Sequence, residues 1–209
     1  MKKFDPSLYL VTMRYDYSDE EFLQQIEEAL KGGVTMLQLR EKDCEGGEFY
    51  KLALKLRQLT KKYQVTFWIN DRVDIALAVE ADGVHVGQED IPAAVVKKII
   101  PENMLLGVSA NNLQEALQAE KDGADLLGSG AVFATGTKEI RELELKDLQE
   151  ICSTVKIPVV GIGGINLDNA KQAMSGGIAG MAIVSALMKA EKPKETAEKF
   201  QEIISEYRD

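Results

Sequence analysis

Apolar runs rich in branched and aromatic residues recur along the chain at 8–12, 34–39, 65–69, 83–86, 104–108, 125–128, 157–162 and 178–184. Each has the length of one buried strand. Between them, segments near 19–31, 47–63, 72–80, 91–99, 112–122, 144–154, 167–175 and 194–206 carry the apolar spacing of amphipathic helices. Many of these segments begin after Ser, Asp or Asn, as at Ser18 and Asp168, and stop at glycine, as at Gly32, Gly123 and Gly176, the residue types that cap helix ends. Strands alternating with helices demand a parallel sheet covered by helices. Eight such units fit an α/β fold of the closed (β/α)8 TIM-barrel kind, with an open doubly wound sheet as the alternative. No long linker or low-complexity tract interrupts the pattern, so residues 1–209 read as a single domain.

The runs end in polar or glycine-rich clusters, and in a parallel barrel those ends carry the chemistry. They read Gln38-Leu39-Arg40-Glu41-Lys42, Asn70-Asp71, Gly87-Gln88-Glu89-Asp90, Ser109, Thr135-Gly136-Thr137-Lys138, Gly161-Ile162-Gly163-Gly164 and Val184-Ser185. A net charge of −9 argues against a nucleic-acid surface, which needs clustered Lys and Arg, and leaves a small anionic ligand held locally in a cleft. The longest apolar stretch, 178–188, is about half the ~20 residues of a membrane span, and the amino terminus lacks the apolar core of a secretion signal, so a cytoplasmic location is expected. Cys44 and Cys152 form no CxxC pair and only one histidine is present, which argues against disulfide frameworks and Cys/His zinc sites.

Gly161-Ile162-Gly163-Gly164 and Ser185 close the last two strands, where barrels of this kind commonly bind phosphate through backbone N–H groups. Gln38 and Arg40 share a face, with Lys42 just beyond, which suits a polyanion; pairing of Arg40 and Lys42 with Glu41, Glu45 or Asp71 is the plainer alternative. Asp71 and Asp90 end or follow neighbouring strands about 5 Å apart, so they can share magnesium (Mg2+), or each can simply cap the next helix. Lys138, in the loop 131–143, reads as a phosphate clamp on a lid. His85 reads as a structural histidine of the barrel interior, with an acid or base as the alternative; Phe67, Trp68 and Met36 read as core, and Ser109 has no base near it.

Together these clusters, with Gly107-Val108-Ser109-Ala110, resemble the thiamine-phosphate synthase family over nearly the whole chain. The resemblance implies a transferase that joins 4-amino-5-hydroxymethyl-2-methylpyrimidine diphosphate to a thiazole phosphate, giving thiamine monophosphate and diphosphate, with Mg2+ as cofactor and phosphorylated small molecules as substrates. It places Gln38, Leu39, Arg40, Glu41, Lys42, Asn70, Ser109 and Lys138 on the pyrimidine diphosphate, with Lys138, Arg40 and Ser109 as the catalytic set. Asp71 and Asp90 would ligate the metal, and Thr135, Gly136, Thr137, Gly164, Val184 and Ser185 would hold the thiazole phosphate. The family chemistry is dissociative, and ionisation of this kind needs charge neutralised and water excluded, not a protein nucleophile. Ala131 and Ala134 replace the usual prolines of the threonine loop, and Asn111-Asn112 replaces a His-Thr pair whose histidine a related thiazole tautomerase uses. A tautomerase and a non-catalytic precursor-binding barrel are the competing readings, and a homo-oligomer is left open.

Overall fold

The computed structural model describes residues 4–134 and 143–207. Its eight strands are β1 (Leu8–Val11), β2 (Met36–Leu39), β3 (Thr66–Asn70), β4 (Gly83–Val86), β5 (Leu105–Ser109), β6 (Leu126–Gly130), β7 (Val159–Ile162) and β8 (Gly180–Ile183). All are parallel and pair in sequence order, and Leu8 of β1 meets Met181 of β8 to close the barrel. The expected (β/α)8 barrel is therefore the fold, and the open doubly wound sheet is excluded. Several strands start later than the apolar runs that announce them. Val34 and Ile178 are buried, yet they lie in the connections, so burial under the helices keeps them apolar without ladder pairing.

The covering helices are α1 (Asp19–Lys31), α2 (Gly46–Tyr63), α3 (Val73–Ala78), α4 (Ala93–Ile99), α5 (Leu113–Lys121), α6 (Leu145–Thr154), α7 (Ala170–Met174), α8 (Ser185–Met188) and α9 (Pro193–Ser205). Ser18 starts α1 in a full capping box: its Oγ accepts from the Glu21 N–H at 3.3 Å while Glu21 accepts from the Ser18 N–H at 2.9 Å. The start expected after Asp168 falls one residue later, with Asn169 at the cap position. Asn166 Oδ1 holds Asp168 in a turn by accepting its N–H at 2.9 Å, and α7 begins at Ala170. The helix α8 has no counterpart in the sequence reading, because four residues are too few to show a period. Among the described residues no helix is long and apolar enough to cross a membrane.

Pleating sorts the strand residues. Tyr9, Met36, Trp68, Leu105, Leu126 and Val160 pack together inside the barrel, while Leu37, Leu39, Phe67, Ile69, Val84 and Val86 pack outward under the helices. Phe4 stands edge-on to Trp68, ring centroids 6.1 Å apart, near the amino-terminal ends of the strands. That end is fastened by a repeated device. Asp82, just before β4, accepts the Phe67 N–H at 2.8 Å and two nitrogens of Arg57 from α2 at 2.7 and 2.9 Å. Asp125, just before β6, accepts the Leu106 N–H and Lys97 Nζ from α4, both at 2.9 Å.

Candidate active site

At the opposite, carboxyl-terminal end of the strands lies a cavity of about 620 Å³. Of the residues singled out from sequence, Gln38, Arg40, Lys42, Asn70, Asp71, Asp90, Ser109, Gly164, Val184 and Ser185 line it. They come from six strand ends, which explains why no local motif contains them all. Leu39 and Glu41 are not brought to the cavity. The pleat turns Leu39 into the core between strands and helices, and Glu41 lies 3.7 Å from Arg14 Nε, with burial raising its carboxyl above the usual range. Thr135, Gly136, Thr137 and Lys138 lie outside the described residues.

The carboxylates and cations of the mouth are sparsely partnered. Lys42 Nζ pairs with Asp71 Oδ2 at 2.8 Å, so the plainer alternative for Lys42 holds in this structure. Arg40 makes no ion pair among the described residues; its backbone N–H is fixed by Thr12 Oγ1 at 2.9 Å, which leaves the guanidinium to the cavity it lines. Asp71 sits at φ 60°, and its N–H donates to the His85 carbonyl at 2.8 Å. Asp90 does not cap α4, since its Oδ2 accepts the Gly87 N–H of its own turn at 2.7 Å. Each carboxylate thus keeps oxygen acceptors for a ligand, and their hard-oxygen chemistry fits Mg2+. Among the described residues no group of three or more His, Cys, Asp or Glu could enclose an ion, so a metal here would need substrate or water oxygens as well.

His85 is the barrel-interior histidine expected from sequence, and it also reaches the cavity. Its side chain points inward, lines the cavity, and places Nε2 3.0 Å from Ser109 Oγ, so Ser109 does have a base beside it. The register pairs His85 with Gly107, putting Ser109 two residues further along the same face. A Cβ on Gly107 would stand 2.4 Å from His85 Nδ1, which is why only glycine fits there. Burial lowers the His85 pKa to about 4, so the ring is neutral at neutral pH. Its Nδ1 is buried without a partner among the described residues.

At the ends of the seventh and eighth strands, Gly163 and Gly164 take φ of 97° and 65°, conformations that L side chains rarely adopt. Phe133 donates its N–H to the Gly163 carbonyl at 3.1 Å, and Asn169 Nδ2 donates to the Gly164 carbonyl at 2.9 Å, which fixes the turn where both glycines line the cavity. Ser185 opens α8 at the same rim. Across the cavity, the Asn111-Asn112 turn is structural: Asn112 Oδ1 caps α5 by accepting the Glu115 N–H at 2.9 Å, and Glu115 accepts the Asn111 N–H at 2.7 Å.

One buried polar contact of the mouth joins residues that no single sequence motif contains. Gln38 Nε2 donates to Tyr9 Oη at 2.7 Å, with both side chains buried and both lining the cavity. Tyr9 leans on Trp68, ring centroids 6.0 Å apart.

The chain is similar to known proteins over nearly its whole length. The sequence model of the family described as thiamine monophosphate synthase matches residues 8–187. The chain is 52% identical to the thiamine-phosphate synthase of Alkaliphilus oremlandii over 201 residues, 96% of each chain. It is 51% identical to that of Methanobrevibacter smithii over 199 residues, 95% of each. Among solved structures it resembles thiamine phosphate pyrophosphorylase from Pyrococcus furiosus, with a TM-score of 0.90 and 44% identity over 98% of both chains.

Proposed function

The chain belongs to the thiamine monophosphate synthase family and is a transferase of thiamine biosynthesis; from that premise we propose that it joins 4-amino-5-hydroxymethyl-2-methylpyrimidine diphosphate to a thiazole phosphate by ionisation of the diphosphate followed by capture of the pyrimidine-methyl cation. The observation that carries this reading is the charge arrangement of the mouth. Arg40 and Lys42 line the cavity with the left-handed glycines Gly163 and Gly164, and the carboxylates of Asp71 and Asp90 line it too. That is a place for two phosphorylated ligands, only one of which needs a metal.

On this reading Asp71 and Asp90 would hold Mg2+, which when bound would neutralise charge on the diphosphate. Arg40, Lys42 and Lys138 stabilise the leaving group as its negative charge grows, and this is where transition-state binding gains most over ground-state binding. Ser109, fixed by neutral His85, presents its hydroxyl to the pyrimidine diphosphate without acting as a nucleophile. Neutrality of His85 matters, because an imidazolium beside a developing carbocation would oppose ionisation. Gly164, Val184, Ser185 and the 135–137 segment receive the thiazole phosphate. Asn112 caps α5 and Asn111 donates to Glu115, so neither side chain of that turn is an acid or base, which disfavours the tautomerase. The reaction is cytoplasmic on this reading.

The direct test incubates the purified protein with both substrates and Mg2+, following thiamine monophosphate and diphosphate with and without EDTA. Product that requires both substrates and the metal supports the synthase. Isomerised or merely bound thiazole phosphate, with no thiamine monophosphate, overturns it.

A further inference from the structure

The outer face of α4 is apolar where contact with water should make it polar. Val96 is buried and Lys97 reaches back to Asp125 at 2.9 Å, while Val95 and Ile99 point outward with exposures of 43% and 49%. Ile91, in the turn before the helix, is 46% exposed, and the spacing of four residues puts all three in one stripe. Among the described residues eight large apolar side chains are exposed. Five of them, these three with Leu77 on α3 and Leu117 on α5, fall on or beside three consecutive covering helices. Single apolar side chains are ordinary on a surface, but a cluster of them marks a contact.

The stripe carries a charge at each end. Glu89 before it and Lys98 beside Ile99 are both exposed, and neither has an ion-pair partner among the described residues. A helix that meets its own copy about a two-fold axis runs either parallel or antiparallel to it. Parallel pairing sets Glu89 against Glu89 and Lys98 against Lys98. Antiparallel pairing centred on Val95 lays Ile91 against Ile99 twice and carries each Lys98 toward the other copy's Glu89. Glu102 also lies at that end, but beyond Pro101 in the turn that leaves the helix, so the cation is nearer the stripe. The seven residues of α4 are too few for a stable dimer, which buries about 800 Å² per protomer. At the roughly 10 Å spacing of packed helices, α3 to α5 extend the face to about 30 Å across, wide enough for one. We propose that this face is the surface through which the protein self-associates: two copies pair antiparallel through α4, with Val95 on the two-fold axis and Leu77 and Leu117 at the flanks. Glu89 also lines the cavity, so each copy's Lys98 would bring a further cation to the rim of its partner's mouth.

Sedimentation equilibrium of the wild type, of Val95→Glu and of Tyr207→Glu, a similarly exposed apolar position beyond α9, tests the pairing. The wild type and Tyr207→Glu are expected at the mass of two chains at micromolar concentration. Val95→Glu sets two carboxylates against each other on the axis and should raise the dissociation constant roughly a hundredfold, leaving single chains. Lys98→Glu should weaken the dimer about tenfold, and adding Glu89→Lys should restore it. Val95→Cys should form an intermolecular disulfide under mild oxidation that the wild type, with Cys44 and Cys152, does not, because only a residue on the axis meets itself. Should Val95→Glu fail to fold, that crosslink decides: its formation supports the pairing and its absence overturns it. A wild type that remains a single chain up to about 100 μM also overturns the proposal. So does a dimer that survives Val95→Glu and gives no Val95→Cys crosslink, which would put the contact on another face.

Discussion

At the foot of the barrel Asp82 takes Arg57 and the Phe67 N–H, and Asp125 takes Lys97 and the Leu106 N–H. At the mouth Asp71 holds Lys42 alone and Asp90 a single amide of its own turn. The residue type is the same; the saturation differs. A carboxylate held at once by a backbone amide and a cation from a covering helix is tied into the fold, whereas one held by a single partner can exchange that partner for a ligand. The division follows the general one in such barrels, where the amino-terminal face reads as stability and the carboxyl-terminal face as chemistry.

Substitutions at the two ends should therefore separate activity from stability. The largest effect is expected for Asp71→Asn, which should lower Mg2+-dependent kcat/KM by roughly 10²–10³-fold while leaving thiazole-phosphate binding nearly intact. Denaturation should show little change, because asparagine tolerates the left-handed backbone at this position. Equal damage to fold and turnover would erase the contrast.

Acid sharpens it next. His85 is neutral in the fold with a pKa of about 4 against an ordinary 6.5, so below pH 6.5 the unfolded chain binds a proton that the folded chain refuses. Its contribution is intact above about pH 6.5 and is lost as pH falls toward 4, by up to roughly 3 kcal/mol. Denaturant titrations from pH 7 to 4 should show this slope in the wild type and a flatter one in His85→Gln.

At the foot, Asp82→Asn should destabilise by about 1–2 kcal/mol, discounted for its partial exposure, with kcat nearly unchanged. Urea midpoints and steady-state kinetics on the same preparation read both quantities. The smallest effect is reserved for Lys42→Ala. Removing the competitor for Asp71 should tighten Mn2+ binding in the absence of substrate by a few-fold, measured by calorimetry, while weakening the affinity for inorganic diphosphate. Weaker metal binding in the variant would mean that Lys42 does not compete for that carboxylate.

Much of the fold was legible because each strand and helix declares itself within a dozen or so residues. The pairs that matter at the mouth did not, since they join residues distant in sequence: Gln38 with Tyr9, Lys42 with Asp71, His85 with Ser109. Only the register brings each pair together. The neighbours of a true site residue can also mislead. Leu39 and Glu41 sit between Gln38, Arg40 and Lys42 in a contiguous cluster, yet a strand sends alternate side chains to opposite faces. The four-residue α8 escaped because nothing in so short a segment distinguishes a helical turn from a loop.

The two aspartate clamps at the foot also say how the chain can assemble. One ties α2, β3 and β4, the other α4, β5 and β6, and every tie spans a short stretch of sequence. The seam that closes the barrel joins Leu8 to Met181, a contact whose loop-closure entropy is met only once the intervening units exist. Amide protection during refolding should therefore rise in β3 to β6 before it rises in β1 and β8, so that the central half of the chain serves as the template on which the two ends meet.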